Sequence, residues 1–302
     1  MRSLGYAECY SYSLLSQKAL TRMGFDANVC MKLSNPLADF ELLRASLLPG
    51  LLLAVENNLT RCDELRLFEA GSVFQRSAST GTDLPHEPAM LGLIVVNCPT
   101  AKSSLWKEGE SALQAAKTAV SDLLTFLSVP DVSWVQDASQ LPASVDQTWL
   151  HPGRSVAVLS GQTVIGWLGE LHPQKTAFLD LRDRKICYAE LDLSLIDQHR
   201  TVRQFHRFSS YPSIELDLSF LIAKTAAASE VEQVIREAGG ELLTAVKVLD
   251  VFEKPEFGED KKSMTWRMIY QSMERTLLDT EAAAAHENVI RALKTVYSIQ
   301  VR

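Results

Sequence analysis

The stretch Ile214-Glu-Leu-Asp-Leu-Ser-Phe-Leu-Ile222 carries an apolar residue at every second position. Because side chains alternate between the two faces of a β-strand, this pattern predicts a strand with one apolar and one polar face. Glu215, Asp217 and Ser219 would lie on the polar face. A second alternating stretch, Ser263–Gln271, directs its large residues to one face: Met264, Trp266, Met268 and Tyr270.

The segments around these two strands give the order of the remaining elements. Ser229-Glu-Val-Glu232 has the form of a capping box, which opens a helix, and Gly239-Gly240 closes that helix. Further elements are predicted as a strand near Val246–Phe252, a charged loop from Glu253 to Lys262, a helix over Asp279–Tyr297 and a strand over Ile299–Val301. The order β-α-β-β-α-β is that of a split βαβ, or ferredoxin-like, unit.

Residues 204–302 therefore form one predicted domain, and residues 1–203 form another of mixed helices and strands, with a polar linker over Asp197–Arg207. Its predicted helices are Ser16–Met23, Ser46–Asn58 with Pro49 in the first turn, Ser111–Leu127 and a short one from Glu170-Leu-His-Pro173. Its predicted strands are Tyr6–Leu14, Val29–Leu33 before a turn at Asn35-Pro36, Glu64–Phe74, Met90–Val96, Val132–Val135, Gln147–Leu150, a hairpin of Arg154–Leu159 with Val164–Gly169, and Ile186–Leu193. Between the third and fourth strands, Ser77–Pro88 is a predicted polar loop.

Composition places the chain among soluble globular proteins with an ordinary core, since 46% of its 302 residues are hydrophobic and 22% are charged. Its five cysteines are widely spaced and form no Cys-x-x-Cys pair, which argues against a disulfide framework or a zinc site and suits a reducing cytosol. No apolar run approaches the ~20 residues of a membrane span. The first residues contain no signal-peptide core.

The net charge of −7 limits how the chain could bind a nucleic acid. Residues 204–302 hold 12 Lys and Arg against 15 Asp and Glu, so this domain also has a negative balance. The overall field mildly repels a phosphate backbone. Any contact with RNA must therefore come from a local basic patch.

Several motifs of the second domain carry a family resemblance. They are Tyr211-Pro-Ser, Ala238-Gly-Gly-Glu-Leu-Leu, Lys261-Lys262-Ser263, Glu274-Arg-Thr-Leu-Leu-Asp279 and His286. Together they resemble the ferredoxin-fold anticodon-binding domain at the C-terminus of the bacterial phenylalanyl-tRNA synthetase beta subunit. That family usually has Arg before the Asp of its first strand, and this chain has Leu216 there.

The first domain resembles the catalytic-like module of the same subunit. The motifs are Gly5-Tyr-Ala-Glu, Ser11-Tyr-Ser, Asn35-Pro-Leu, Leu43-Arg-Ala-Ser-Leu-Leu-Pro-Gly-Leu, Asn57-Asn, Leu67-Phe-Glu-Ala-Gly-Ser-Val-Phe, His151-Pro-Gly-Arg and Gly166-Trp-Leu-Gly-Glu-Leu-His-Pro173. The resemblance implies an α+β fold: a class II synthetase-like antiparallel sheet flanked by helices, followed by the ferredoxin-like domain. It also implies that the chain matches the C-terminal portion of a longer subunit.

Catalysis by this chain is not expected, and no residue is predicted to be catalytic. Active class II synthetases hold ATP phosphates with arginines, and the strand that occupies the place of their second motif ends here in Gln75. Arg76 is one step along the strand and so points to the other face. The third motif, a Gly-rich turn with Arg, is missing, since the chain has Ala189-Glu-Leu-Asp-Leu.

No metal site is expected either. His86-Glu87 has no second His at helical spacing, and the family's metal-binding acidic residues lie in a domain upstream of the matched part. The resemblance implies that this chain binds no cofactor and that ATP and magnesium serve the whole enzyme.

Candidate contacts with tRNA come from the open face of the ferredoxin-like sheet and from the residues beside it. They are Arg267, Lys254, Lys261, Lys262 and, in the linker, Arg207. Such residues position phosphates without reading sequence. The alternative for Lys261-Lys262 is a solvated loop tip. Arg275 is interpreted as a structural residue that ties the turn before the last helix.

Candidate contacts with a partner subunit lie in the first domain at Asn35, Pro36, Arg44 and Pro49, beside the apolar helix segment Leu47–Leu53. The resemblance implies a non-catalytic portion of phenylalanine–tRNA ligase that scaffolds the catalytic alpha subunit and binds tRNA, in a cytoplasmic α2β2 assembly without a membrane. The alternatives are a non-translational interaction or sensor protein that reuses both modules, and an active class II ligase.

Overall fold

A computed structural model describes residues 1–76, 85–97, 111–142, 144–181, 184–205 and 207–302. The chain divides into two compact units, Met1–Arg203 and Gln204–Arg302. Among the helices in these ranges, none has the length and apolar character needed to cross a membrane. The predicted polar loop Ser77–Pro88 falls largely outside the described residues.

The first unit alternates short helices with strands. Its helices are α1 (Gln17–Met23), α2 (Leu48–Asn58), α3 (Ala112–Phe126) and α4 (Leu193–His199). Its strands are β1 (Ala7–Glu8), β2 (Leu14–Leu15), β3 (Met31–Leu37), β4 (Phe40–Leu43), β5 (Leu65–Ser72), β6 (Ala89–Asn97), β7 (Val132–Val135), β8 (Leu150–Ser160), β9 (Thr163–Leu171) and β10 (Lys185–Asp192).

Seven of the described strands form one sheet in the order β1-β5-β6-β10-β9-β8-β7. All neighbouring pairs are antiparallel except β1 with β5, where Ala7 lies opposite Leu67. The other three strands of this unit form a small sheet, β2-β4-β3. The predicted antiparallel sheet flanked by helices is therefore confirmed.

The two faces of the large sheet carry two hydrophobic cores. Because side chains alternate along β10, Tyr188 packs in the core that contains α2, and Ala189 packs in the core that contains α3. Leu51 and Leu52 of α2 are fully buried. The burial of apolar side chains on both faces makes this sheet the central layer of the unit.

Local signals in the sequence fix several element ends. Ser16 caps α1 by accepting a hydrogen bond from the Ala19 amide, and Ser111 with Gln114 forms a capping box on α3. Gly161 has φ 59° in the β8–β9 hairpin turn, a conformation that glycine adopts without steric cost. These elements follow the predicted ranges closely.

Other predictions for the first unit were wrong. Asn35 and Pro36 lie inside β3, and the chain turns instead after Leu37, where Ala38 has φ 53°. The segment Gln147–Trp149 is a 3-10 helix that leads into β8. Three further boundaries also differ. Glu170 and Leu171 extend β9 instead of starting a helix, and the start of the expected linker belongs to α4. The predicted strand Tyr6–Leu14 is replaced by the short strand β1 and the first residue of β2.

The second unit has the predicted order of elements. They are β11 (Ile214–Ala223), α5 (Ala228–Gly239), β12 (Leu243–Phe252), β13 (Lys261–Tyr270), α6 (Asp279–Tyr297) and β14 (Gln300–Val301). Its antiparallel sheet has the order β12-β13-β11-β14. The edge strand β12 pairs with β13 through two register shifts, at Leu243/Ala245 and at Val248/Asp250. The ferredoxin-like prediction is confirmed.

Large side chains from β11 and β13 fill the core beneath α5 and α6, among them Phe220, Trp266, Met268 and Tyr270. The predicted capping box at Ser229 is wrong, because α5 begins at Ala228 with Ala227 in the capping position and has no side-chain cap. Gly240, with φ 64°, ends this helix as expected.

Candidate functional site

The centre of the open sheet face in the second unit is an ion-pair cluster. Arg267 on β13 donates from Nε to Asp217 Oδ1 (2.8 Å) and from Nη2 to Asp217 Oδ2 (2.9 Å), and its Nη1 lies 3.1 Å from Glu215 Oε2. The hydrogen bond from Arg267 lowers the pKa of Asp217, and the same contact raises that of Arg267. Two carboxylates thus surround one guanidinium. The sequence predicted Arg267 as a phosphate contact, but its charge is already offset by these neighbours.

Lys261 and Lys262 belong to β13 and not to the preceding loop, so the predicted loop tip is wrong. Lys262 Nζ donates to the Lys224 carbonyl (3.1 Å) and to the Ala226 carbonyl (2.7 Å), which ties the turn between β11 and α5. Lys261 Nζ donates to Gln300 Oε1 (3.3 Å). The two lysines therefore have different surroundings, and Lys262 has a structural role.

A cluster of aromatic and basic side chains lies at the end of β12. The rings of Phe252 and Phe257 have centroids 5.6 Å apart, and Arg302 lies 4.8 Å from the Phe257 centroid and 5.9 Å from that of Phe252. Lys254 Nζ lies 5.5 Å from the Phe252 centroid. Arg302 also donates to Ser263 Oγ (3.4 Å), on the sheet face opposite the helices. We call Phe252, Lys254, Phe257 and Arg302 the aromatic-basic cluster.

Of this cluster, the sequence predicted Lys254 and missed the other three. Phe252 and Phe257 are five residues apart in a charged segment, and Arg302 is distant along the chain. Aromatic residues beside lysines are a signal of nucleic-acid binding, but only the pairing of β11 with β14 brings Arg302 to the same place.

Two further arginines of this unit have separate surroundings. Arg207 is exposed in the segment before β11. Arg275 binds Glu281 through Nη1 (2.7 Å) and Nη2 (2.5 Å), and Glu281 also accepts from the Leu278 amide (3.0 Å). The hydrogen bonds from Arg275 lower the pKa of Glu281 to about 2. Arg275 thus ties the start of α6, as predicted.

The expected subunit contacts in the first unit separate into a buried and an exposed pair. Arg44 is 5% exposed, and its Nη1 donates to Glu69 Oε1 (2.6 Å). Pro49 is also buried, on α2. Neither side chain is therefore accessible at the surface of the unit, because Pro49 lies among the buried residues of α2 and Arg44 is paired with Glu69. Their contact with a partner subunit stays a prediction. Asn35 and Pro36 are exposed on β3.

Exposed aromatic side chains lie on the same small sheet or next to it. Tyr10 is 97% exposed and Tyr12 is 80% exposed, and the ring of Tyr12 lies 6.1 Å from that of Phe40. Phe40 opens β4, the partner of β3. We call Tyr10, Tyr12 and Phe40 the exposed aromatic patch. Aromatic residues are enriched in protein interfaces. In the sequence, Tyr10-Ser-Tyr12 was assigned to the predicted strand Tyr6–Leu14 and, in part, to a motif of the resemblance, and its aromatic content was not taken as a sign of an interface.

A cavity of about 270 Å³ lies on the α2 face of the large sheet. Among the described residues that line it, the hydrophobic ones include Phe25, Trp149 and Trp167, and the acidic ones are Asp26, Asp146, Glu190 and Asp192. Gln75, the residue that stands in place of the second-motif arginine, lines it too. No Lys or Arg is found among these described lining residues, so they do not fit the phosphates of ATP.

Glu190 on β10 is the buried acid of this cavity. Its Oε1 accepts from the Leu47 amide (2.8 Å), and both oxygens contact Ser46 Oγ, at 3.1 and 3.0 Å. Burial raises the pKa of Glu190, while the hydrogen bonds from Leu47 and Ser46 act in the opposite direction. Within the described part of the chain, no group of three His, Cys, Asp or Glu side chains is arranged to hold a metal ion.

Known proteins match the chain over nearly its whole length. A family model described as the phenylalanyl tRNA synthetase beta chain CLM domain matches residues 1–193, and one described as the ferredoxin-fold anticodon binding domain matches residues 209–302. The phenylalanine–tRNA ligase beta subunit of Moorella thermoacetica is 35% identical over 297 residues, which cover 96% of this chain and 36% of that protein. The Bacillus subtilis protein of the same name is 30% identical over 311 residues, with 100% and 37% covered.

The chain therefore spans little more than a third of the length of these relatives. Among solved structures, the pyrrolysyl-tRNA synthetase of Desulfitobacterium hafniense superposes with a TM-score of 0.48 at 15% identity, covering 65% of this chain and 64% of that chain. Because the first family model alone accounts for 193 of the 302 residues, the chain belongs to the phenylalanyl-tRNA synthetase beta-chain family.

Proposed function

We propose that this chain is the non-catalytic, C-terminal portion of a phenylalanine–tRNA ligase beta subunit, and that its second unit contacts tRNA during ATP-dependent charging with phenylalanine. Membership of the family supports this proposal. The observation that carries it is the aromatic-basic cluster, in which two phenylalanine rings lie beside Arg302 and Lys254. In this proposal, the reaction and its ATP and magnesium reside on a cytoplasmic alpha subunit in an α2β2 assembly.

The charges on the open sheet face indicate where on this face RNA would bind. Glu215 and Asp217 at its centre repel phosphate and engage Arg267. At the other end of the same face, Arg302 and Lys254 supply positive charge next to aromatic rings. Unpaired bases stack on such rings, and neighbouring cations hold the backbone. We therefore place the RNA contact at the aromatic-basic cluster and not at Arg267.

The experiment measures binding of a phenylalanine tRNA transcript to the chain at several salt concentrations. The double variant Phe252→Ala/Phe257→Ala should bind about tenfold more weakly or worse, because each stacked base contributes about 1–3 kcal/mol. Its salt dependence should remain unchanged. Lys254→Ala should instead lower the salt slope by about one.

Phe126→Ala is the matched control, since Phe126 is an exposed phenylalanine of the first unit with Arg203 5.2 Å from its ring. This variant should bind the transcript as the unaltered chain does. Unchanged affinity of the double variant would place the RNA contact outside the cluster and contradict the proposal.

A further inference from the structure

The cavity of the first unit combines the size of a ligand site with an unusual charge. Its volume of about 270 Å³ lies just below the roughly 300–1,000 Å³ range of small-molecule pockets, which suits a small ligand. The lining is largely apolar, and its described ionisable side chains include four carboxylic acids and His86 but no lysine or arginine. Such a cavity disfavours an anion and favours a compact cation with an apolar body.

The acidic residues of this cavity lie at two depths, a buried floor and an exposed rim. Glu190 is 6% exposed and so lies at the floor, whereas Asp26 and Asp146 are exposed at the rim. Each rim acid uses its Oδ1 to cap a turn: Asp26 accepts from the Asn28 amide (2.9 Å), and Asp146 accepts from the Thr148 amide (3.0 Å). These contacts hold the acids in place around the opening.

Aromatic rings form part of the walls. Phe25 stacks on Trp149 with centroids 4.0 Å apart, and Trp167 meets Tyr188 edge to face at 5.3 Å. Lys175 Nζ already lies 5.6 Å from the Trp149 centroid, so we assign the attraction of a ligand cation to Trp167, and the apolar area of both rings stabilises an aromatic or aliphatic ligand body. Carboxylates together with indole rings are the groups that recognise organic amines.

We propose that this cavity is a binding site for a small organic amine whose ammonium group pairs with the Glu190 carboxyl and whose apolar body lies between Trp149, Trp167 and Val164. The site differs from the tRNA contact and requires neither the alpha subunit nor ATP. A free amino acid fits less well, because its carboxylate would face the acidic rim without a described lysine or arginine in the lining.

The test titrates the 302-residue chain with 2-phenylethylamine, 2-phenylethanol and 3-phenylpropionate, which share a ring and differ in charge. Calorimetry or ligand-observed NMR should detect the amine, with the alcohol at least about tenfold weaker, because a hydrogen bond to a charged group contributes about 1.5–3 kcal/mol. The anion should show no binding. Equal affinities for amine and alcohol would overturn the proposal.

Variants locate the bound amine. Glu190→Gln keeps an acceptor for the Leu47 amide and should weaken amine binding about tenfold or more. Glu170→Gln is the matched control, since Glu170 is an equally buried carboxyl that pairs with Arg154 instead of lining the cavity, and it should bind normally.

Val164→Phe is an independent variant, which fills part of the cavity with a larger side chain and should abolish amine binding. It keeps the test decisive if the Glu190→Gln variant does not fold. Amine binding that survives Val164→Phe in a folded chain would show that the ligand lies elsewhere and overturn the proposal.

Discussion

At the scale of single residues, Arg44 and Glu69 form an ion pair that is buried within the first unit. Arg44→Leu leaves the Glu69 carboxylate without its guanidinium in a site where the two side chains are 6% and 2% exposed. Loss of one partner of a buried ion pair costs about 3–5 kcal/mol. Chemical denaturation of the variant should show a destabilisation of this size.

The double variant Arg44→Leu/Glu69→Leu provides the control, because it removes both charges. It should recover most of the lost stability, although Ser11 Oγ, which donates to Glu69 Oε2 (2.6 Å) and accepts from Arg44 Nη1 (3.2 Å), then loses both partners. A single variant as stable as the unaltered chain would show that water reaches Glu69.

Residue roles were the least predictable part of this sequence. The sequence places Arg44 in a motif of the resemblance, yet its partner Glu69 is 25 positions away, on β5. Lys262 looked like a loop lysine because its carbonyl partners at residues 224 and 226 come close only when β11 pairs with β13. Such roles depend on long-range pairing, which local patterns do not contain.

At the scale of elements, two serines with similar sequence signals have different roles. Ser111 caps α3 through the Gln114 amide (3.2 Å), whereas Ser229 lies inside the first turn of α5. Ser111→Ala should therefore destabilise the first unit by about 1 kcal/mol. Ser229→Ala should change the stability of the second unit by only about a few tenths of a kcal/mol. Urea denaturation of each variant measures the two effects.

Equal losses of stability for the two variants would mean that Ser229 caps α5 after all.

This comparison also shows why elements were more predictable than residues. The helix over Asp279–Tyr297 agrees with α6 at both ends, because apolar periodicity and local caps decide a long helix. Short elements, such as the 3-10 helix Gln147–Trp149, lack that periodicity and were predicted as a strand.

At the scale of the whole molecule, the proposed alpha subunit needs an accessible surface on the first unit. Most of the large apolar side chains of α2 are buried inside the unit, whereas those of the exposed aromatic patch are accessible. Tyr10→Asp/Tyr12→Asp should therefore prevent co-elution of a cognate alpha subunit with the chain, because charges disfavour burial at the centre of an interface. Size-exclusion chromatography of the mixture tests this.

Phe126→Asp again serves as the control, because Phe126 is an exposed aromatic residue outside the patch. It should leave co-elution intact. A complex that forms equally well with the Tyr10→Asp/Tyr12→Asp variant would contradict the assignment of this surface.

The division into two units could be predicted from chain length and motif order. The location of a partner surface could not, because it depends on which apolar residues the fold leaves exposed.

The two register shifts in β12 also affect how neighbouring copies of the chain meet. This strand forms one edge of the second sheet and exposes Val248, Leu249 and Val251, so a regular strand there would offer backbone groups to another copy. Each shift interrupts the repeat of donors and acceptors after a few residues. An incoming strand could then form only short ladders, which opposes edge-to-edge aggregation while the apolar side chains stay exposed.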